Sequence, residues 1–130
     1  MKKATREWVR KAESDYRVAK KVISMKPMPT DETCFHCQQA AEKFLKALLQ
    51  ELAIAFSKTH NLEALAKLLV RHHPALAAYQ RRFKFLSQFA VDYRYPGMHA
   101  SARQARAALR WAASIRAEAR RLLGLRPRNP

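Results

Sequence analysis

The sequence predicts an all-α fold in a single domain, and two observations carry this prediction. Apolar residues recur every three or four positions along nearly the whole chain, which is the period of a helix. No run rich in Val, Ile and Thr alternates apolar with polar residues between turn signals, as a strand would. The chain has 130 residues, of which 48% are hydrophobic, so residues 1–130 can form one compact domain and are not expected to be disordered.

The first predicted helix runs from about Thr5 to Met25. Lysine and arginine lie opposite its apolar residues, as expected for a helix with one face on a core. The helix ends before Pro27 and Pro29, because a proline disfavours α conformation in the residue that precedes it. The apolar stripe consists of Trp8, Ala12, Tyr16, Ala19 and Ile23.

The second predicted helix is the central, most buried one, and Thr30 or Asp31 is suited to cap its start. It contains a Cys-x-x-Cys pair, Cys34 and Cys37. A zinc site needs two further ligands, and no second pair has the spacing of a zinc finger, so we expect small buried thiols and no metal. The further histidines considered as ligands are His36, His60, His72 and His73. The core positions are Cys34, Cys37, Ala41, Phe44, Leu45, Leu48 and Leu52.

Two helices are predicted to follow. The third begins after Asn61, which is suited to cap it, and stops at His72-His73-Pro74. The fourth runs roughly from Leu76 to Tyr93. The expected buried residues are Leu62, Leu65, Leu68 and Leu69 in the third helix, and some of Tyr79, Phe83, Leu86, Phe89 and Ala90 in the fourth.

A turn separates the fourth helix from the last one. Pro96-Gly97 is a strong turn signal, and Tyr95 is pushed out of helical conformation by the proline, so the fourth helix should end near Arg94. Ser101 is suited to cap the last helix, and Gly124 suits its C-terminus. Its apolar seam consists of Ala105, Ala108, Ala112, Ile115, Ala119 and Leu122, with Arg103, Arg106, Arg110 and Arg121 opposite.

The chain is strongly basic, with 26 Lys+Arg against 10 Asp+Glu and a formal net charge of +16. From Lys67 onward the only acids are Asp92 and Glu118, and the chain ends in a basic tail at 125–130 that we expect to be frayed. Such a surface attracts RNA, DNA or an acidic protein, although a merely soluble arginine-rich protein is the alternative. No segment has the pattern of a signal peptide or a membrane span, so we expect a cytoplasmic protein without membrane contact.

Three blocks of sequence resemble the HEPN family. They are Cys-Phe-His-Cys-Gln-Gln-Ala-Ala-Glu-Lys-Phe-Leu-Lys-Ala-Leu-Leu at 34–49, Lys58-Thr59-His60-Asn61-Leu62, and Arg94-Tyr95-Pro96. The resemblance covers nearly the whole chain. It implies an antiparallel bundle of about four to five helices, usually a homodimer. It also implies a minimal nucleotidyltransferase, often made alongside, that counteracts the HEPN protein as an antitoxin counteracts a toxin.

Many HEPN proteins are ribonucleases with an Arg-x(4–6)-His motif, and others only bind nucleotides or partners. Arg94 and His99 form the shortest version of this motif. Arginine is so frequent in this chain that about one such match is expected by chance, so the motif gains weight from its position at a turn between two helices. The alternative is that Arg94 satisfies helix C-terminal carbonyls and His99 is a solvated loop residue.

Arg94 and His99 suit metal-independent RNA cleavage, which uses no cofactor. This reaction needs a base for the 2′-hydroxyl, a cation for the crowded phosphorane and an acid for the leaving oxygen. Histidine, with an ordinary pKa of about 6.5, exchanges a proton near neutral pH, and arginine offers phosphate a planar fork of donors. One copy of the pair supplies too few groups for the whole reaction. A two-fold homodimer would bring two copies into one cleft.

Other residues are predicted to serve this site. Tyr93 and Tyr95 flank Arg94 and are suited to stack on a base, with packing in the bundle as the alternative. Glu42 and Asp15 are expected to orient the arginine or the histidine of the motif if they turn inward. The remaining candidate RNA or nucleotide contacts are Lys43, Arg103 and Arg106.

Residues of the first two blocks also have structural interpretations. Glu42 and Lys46 have the spacing of an ordinary surface ion pair, and a structural role is favoured for Lys46. His60 is expected to act in capping the third helix.

Three functions remain open from the sequence. The first is a toxin-like endoribonuclease, the second is a non-catalytic nucleotide- or RNA-binding subunit that partners a nucleotidyltransferase, and the third is an interaction module. In family members that the nucleotidyltransferase silences, the motif continues as His-x-Tyr and the tyrosine receives AMP. Ser101 stands at that position here, which argues against silencing by this route.

Overall fold

A computed structural model describes residues 1–127, and within them every regular element is helical. The all-α prediction is confirmed. None of these helices is both long and apolar enough to cross a membrane. The α-helices are α1 (Lys3–Ile23), α2 (Thr30–Glu51), α3 (Leu62–Leu69), α4 (Gln80–Ser87) and α5 (Ala102–Leu122), and two short 3-10 helices span Pro74–Tyr79 and Asp92–Arg94.

Helix α2 lies at the centre of the bundle, as predicted. Helices α1 and α5 both pack against it, and α3 packs against α2 and α4. Only a short connection joins α1 to α2, and two helices so joined are antiparallel neighbours. Burying each large apolar side chain contributes about 1.5–3 kcal/mol, so this helix anchors the fold. Its buried apolar side chains include Cys34, Cys37, Ala41, Phe44, Leu45 and Leu48.

The predicted helix caps have different outcomes. Asn61 caps α3 by accepting a hydrogen bond from the Ala64 N–H, and Ser101 caps α5 through a reciprocal capping box with Gln104. The expected cap of α2 is wrong. Pro29 occupies that position and no side chain caps the helix, so the Asp31 carboxylate is free for the long-range contacts described below.

The fourth predicted helix is wrong in extent. In place of one helix over 76–93, a 3-10 helix begins at Pro74, α4 ends at Ser87, and the chain then turns tightly before a second 3-10 segment. The Ser87 hydroxyl accepts a hydrogen bond from the Leu62 N–H, which ties the end of α4 to the start of α3. Phe89 and Ala90 are buried as predicted, but in a turn, whereas Leu68 is 43% exposed and does not belong to the core.

Helix α5 has arginines in two different environments. Arg116 and Arg120 are buried against Glu13 of α1, a cluster that the helical pattern did not predict. Gly124 has a φ of +71°, the left-handed conformation that a glycine after a helix readily adopts. The last three residues of the tail predicted at 125–130 lie outside the described residues. The arginines predicted to face outward, Arg103, Arg106, Arg110 and Arg121, are all exposed.

Candidate functional site

An open cleft lies where the first two turns of α2 meet the 3-10 segment at 92–94. Its volume is about 320 Å³. It contains the arginine of the predicted motif together with a histidine, two carboxylates and three aromatic rings. The lining residues are Asp31, Glu32, Phe35, His36, Phe89, Tyr93 and Arg94.

A second groove, between α3 and α4, is larger, at about 440 Å³. Among the described residues that line it there is no histidine and no arginine. The smaller cleft therefore has the chemistry of a site, and size alone does not identify it. The lining of the larger groove consists of Asn61, Glu63, Ala64, Ala66, Lys67, Val70, Leu76, Ala77, Gln80 and Phe83.

Arg94 is held in the cleft by an aromatic ring. Its guanidinium carbon lies 4.8 Å from the centre of the Phe35 ring, a distance at which a cation is attracted to the ring face. The side chain is exposed and forms no hydrogen bond or ion pair with any other described residue. The five N–H donors of the guanidinium therefore remain available to an anion.

The turn after Arg94 is built by its sequence. Tyr95 is extended, as expected before a proline, and Gly97 has a φ of +90°. The Met98 N–H donates to the Tyr95 carbonyl over 3.2 Å. A turn with proline in second place and a left-handed glycine in third is type II, and it returns the chain to α2 at His99.

His99 is oriented by Asp31. Its Nδ1 lies 3.2 Å from the Asp31 carboxylate, and the neighbouring Ala100 N–H donates to the other carboxylate oxygen over 2.6 Å. An N–H at Nδ1 that donates to a carboxylate leaves Nε2 as the free nitrogen of the neutral ring. The His99 side chain is 77% exposed, so Nε2 can reach a molecule in solution.

The two residues of the motif are thus brought to the same part of α2. Arg94 contacts Phe35 and His99 contacts Asp31, and these two positions lie one helical turn apart on one face. Arg94 lines the cleft, and His99 stands at its rim through Asp31, which is also a lining residue.

His36 is a site residue that the sequence analysis missed. It lines the cleft, and its Nδ1 lies 2.9 Å from the Asp15 carboxylate of α1. The second Asp15 oxygen accepts a hydrogen bond from Lys43. The expectation that Asp15 orients Arg94 or His99 is therefore not met, because its carboxylate orients His36. The signal present in the sequence was the place of His36 within the family-like block at 34–49.

Glu42 does not orient the motif either. Its buried carboxylate accepts hydrogen bonds from Lys46 over 2.9 Å, from His60 over 2.8 Å and from Gln38 over 3.1 Å. Burial alone raises the pKa of Glu42, but the three hydrogen bonds outweigh it and hold this pKa below its ordinary value. Glu42 is a structural anion inside the bundle and contacts neither Arg94 nor His99.

Two predictions about residues of the first two blocks change with this cluster. The pair of Glu42 and Lys46 lies inside the protein, because the side chains are only 4% and 9% exposed, so the surface interpretation is wrong. The ammonium of Lys46 also lies 5.5 Å from the Trp8 ring centre and 5.9 Å from that of Phe56. His60 bonds to Glu42, while its neighbour Asn61 caps α3.

The remaining predicted contacts differ in accessibility. Tyr93 lines the cleft and rests on Phe89, with ring centres 4.8 Å apart, whereas Tyr95 is 63% exposed. Lys43 is half-buried and engaged by Asp15. Arg103 and Arg106 are exposed in the first two turns of α5, close in sequence to His99.

Cys34 and Cys37 are free thiols in the core, as predicted. Burial, with a contribution from the Asp31 carboxylate, raises the pKa of Cys34 to about 12. Burial also raises the pKa of Cys37. The thiolate is the form that binds metal, and no group of three or more potential metal ligands occurs among residues 1–127.

Ser101, at the position of the modified tyrosine in the nucleotidyltransferase-controlled relatives, has a structural role. Its hydroxyl accepts a hydrogen bond from the Gln104 N–H over 3.0 Å. Its own N–H donates to the Gln104 side chain over 2.8 Å. The residue is exposed but committed to the start of α5.

Comparison with known proteins gives a consistent assignment. The chain is similar to the solved structure of TT1696 from Thermus thermophilus, with 24% identity, a TM-score of 0.79, and coverage of 90% of this chain and 96% of that one. It is also similar to the structure of ST0689, an archaeal HEPN homologue, with 25% identity, a TM-score of 0.74, and coverage of 95% of this chain and 99% of that one. A search of curated proteins finds no match. The sequence profile of the HEPN domain matches residues 5–122, and the chain therefore belongs to the HEPN domain family.

Proposed function

We propose that this protein is a metal-independent endoribonuclease, with Arg94 as the phosphate clamp and His99 as a general acid or base. One observation carries the proposal. Arg94 is positioned by Phe35 with its donors free, and His99 is positioned by Asp31 with Nε2 free. Both supports lie on adjacent turns of α2, so the cation lies in the open cleft and the proton carrier stands at its rim.

Arg94 is suited to stabilise the transition state. A phosphodiester under attack gains negative charge on its equatorial oxygens, and donors already aimed at that charge lower the barrier. The guanidinium offers two parallel N–H groups that match two phosphate oxygens. Its contact with Phe35 holds it in place without using those donors.

His99 is suited to move a proton at Nε2. Because the Asp31 carboxylate accepts a hydrogen bond from the Nδ1–H of the neutral ring, Nε2 carries the lone pair that accepts the proton of a 2′-hydroxyl. After protonation the same nitrogen can donate to a leaving oxygen, and the carboxylate stabilises the charged ring in the meantime.

The surface around the cleft suits RNA. The net charge of +16 attracts a phosphate backbone without reading its sequence. The exposed Tyr95 ring and the part of Tyr93 that lines the cleft are suited to stack on unpaired bases. Arg103 and Arg106 extend the basic surface along α5.

A homodimer is part of the proposal. Val91 and Met98 are large apolar residues that are 47% and 41% exposed. Val91 precedes the motif, and Met98 lies within it, next to His99. Exposed apolar residues that cluster in one segment mark an interaction surface. A second copy of the chain docked on this segment would place two clefts close together.

The proposal is tested by RNA cleavage in excess EDTA. Wild-type protein is expected to cut single-stranded RNA, Arg94→Ala to lose about 100- to 1000-fold in rate, and His99→Ala to lose about 100-fold or more. Arg81→Ala is the matched control, because Arg81 is an exposed arginine of α4 that does not line the cleft. It is expected to cleave at the wild-type rate.

Two results would contradict this function. Equal cleavage by wild type and both motif variants would show that the activity comes from another site or a contaminant. Salt-sensitive RNA binding without cleavage would instead identify the protein as a non-catalytic RNA- or nucleotide-binding subunit of the kind that partners a nucleotidyltransferase.

A further inference from the structure

We infer that His36 is the second proton-transfer residue of this site, so that each chain supplies both the acid and the base of the reaction. The inference rests on the proposed endoribonuclease function and adds to it a residue outside the Arg-x-x-x-x-His motif. It is carried by the position of His36 on the cleft wall, in the same helical turn as the Phe35 that holds Arg94.

His36 has the same hydrogen-bonding arrangement as His99. Each ring bonds through Nδ1 to a carboxylate of another element, Asp15 for His36 and Asp31 for His99. In each case Nε2 is left to exchange a proton with a substrate. Two histidines with one free nitrogen apiece therefore accompany Arg94, with His36 beside Phe35 on the cleft wall and His99 at the rim through Asp31. Together these groups meet the needs of the reaction.

The environment of His36 holds it more firmly than that of His99. The side chain of His36 is 29% exposed against 77% for His99. Its partner Asp15 is itself fixed, because Lys43 donates to the second carboxylate oxygen. A ring fixed by a positioned carboxylate and open on one edge is arranged for proton transfer rather than for solvation.

The charged groups around His36 come from three elements. Asp15 approaches from α1, Glu32 and Lys43 belong to α2 itself, and Arg94 enters from the 3-10 segment. Asp15 stabilises the protonated ring, whereas Lys43 is turned onto Asp15. The ring can thus be charged or neutral while keeping its orientation, as a group that both gives and takes a proton must.

With two histidines, each proton that is released or required in the reaction has a residue of the same chain to carry it. One histidine takes the proton of the 2′-hydroxyl, the 2′-oxygen forms a bond to phosphorus, and the bond from phosphorus to the 5′-oxygen breaks. The other histidine, protonated, gives its proton to that leaving oxygen. The products are a 2′,3′-cyclic phosphate and a 5′-hydroxyl, and no oxidant, metal or water is consumed in this step.

A third histidine provides an internal control. His60 also bonds through Nδ1 to a carboxylate, that of Glu42, and its side chain is 58% exposed. It is not among the residues that line the cleft. If a histidine paired with a carboxylate were enough to affect catalysis indirectly, for example through stability, replacing His60 would have the same effect as replacing His36.

The test is the dependence of the cleavage rate on pH, in EDTA, for wild type, His36→Gln, Asp15→Asn and His60→Gln. Wild type is expected to give a bell-shaped profile, and His36→Gln to lose about 100-fold at the optimum and to lose one limb of the bell. Asp15→Asn keeps the ring and an oxygen that can accept its hydrogen bond but removes the charge of the carboxylate, so we expect a smaller loss with both limbs present. His60→Gln should keep the wild-type rate and shape, and circular dichroism verifies that each variant is folded.

The outcomes separate this inference from the proposed function. If wild type cleaves and folded His36→Gln retains both limbs and the wild-type rate, the role of His36 is refuted while the function of Arg94 and His99 stands. If His36→Gln and His60→Gln lose activity equally with both limbs intact, the effect is structural and the inference also fails. Absence of cleavage by wild type would refute both.

Discussion

Two groups of charged residues, in different regions of the molecule, show how the same side-chain types serve different purposes. Between α1 and α5, Glu13 accepts hydrogen bonds from Arg116 over 2.7 Å and from Arg120 over 2.8 Å, and all three side chains are almost fully buried. At the cleft, Arg94 has no anionic partner among the described residues and His99 is mostly exposed. The first cluster is closed and the second is open.

The pairing and exposure of the charged groups determine what each cluster can do. A buried ion pair whose members bind one another holds two helices in register, and here the carboxylate is occupied by two guanidinium groups. The cleft groups each have one partner that orients them and an unused face, namely Phe35 for Arg94 and Asp31 for His99. Orientation combined with unused donors and acceptors is the signature of a binding or catalytic site.

The Glu42 cluster lies between these two extremes. Its carboxylate and Lys46 are buried, yet the third partner, His60, is 58% exposed. Its carboxylate is fully paired, as in the closed cluster, and it includes an exposed histidine, as in the open cluster. The effect of a Glu42 substitution on stability and on RNA cleavage therefore shows whether the pairing or the histidine determines what such a cluster does.

The largest effect on stability is expected from Glu13→Ala. The change leaves two buried guanidinium groups without their carboxylate, and breaking a buried pair in this way costs about 3–5 kcal/mol. Chemical unfolding would measure the loss. The exposed pair of Glu7 and Arg10 on the same helix supplies the control, Glu7→Ala, for which about 1 kcal/mol or less is expected.

The distinction between the closed and the open cluster requires that Glu13→Ala lose much more stability than Glu7→Ala. A Glu13→Ala protein as stable as Glu7→Ala would show that the buried cluster does not hold α1 to α5. A folded Glu13→Ala protein that had lost RNA cleavage would show that the two regions are not separate in function, since Glu13 does not line the cleft.

A smaller, pH-dependent effect is expected from Glu42→Gln, about 1.5–3 kcal/mol near neutral pH, since hydrogen bonds to a charged group are lost. The pKa of Glu42 in the folded protein lies below its ordinary value of 4.5. The ionised carboxylate therefore stabilises the fold above that value, and the contribution is lost as the pH falls through the folded-state pKa.

Unfolding of wild type and Glu42→Gln should be compared over a range of acidic pH. The gap between their free energies of unfolding should be largest near neutral pH and should close as the pH falls through the folded-state pKa of Glu42, which lies below 4.5. A gap that stays constant, or widens as the pH falls, would contradict the pairing of Glu42 with Lys46 and His60. RNA cleavage by the folded variant should match the wild type if pairing decides the role.

The helices and most of their buried faces were predictable because they follow from local pattern. The spacing of Phe44, Leu45 and Leu48 determines the buried face of α2 whatever its neighbours are, and Asn61 and Ser101 cap helices through contacts three residues away. The boundary of the fourth helix was not predictable. It depends on the hydrogen bond between Ser87 and Leu62, which are 25 residues apart.

The site was predicted only in part, for the same physical reason. Arg94 and His99 are five residues apart with a turn between them, so the local sequence brings them together. The partners that orient the site, Asp31 and Asp15, lie 68 residues from His99 and 21 from His36. Those pairings follow from which helices become neighbours, and no periodicity along one helix contains that information.

The central claim, that the cleft promotes attack by the 2′-hydroxyl of RNA on its own phosphodiester, is tested most directly with a modified substrate. An oligonucleotide cut by the wild-type protein in EDTA is remade with a single 2′-deoxy nucleotide on the 5′ side of the cut. The modified RNA is expected to bind but not to be cut at that position, and the unmodified RNA is expected to yield a 2′,3′-cyclic phosphate. Cleavage at the 2′-deoxy position, or products that carry a 5′-phosphate, would contradict it.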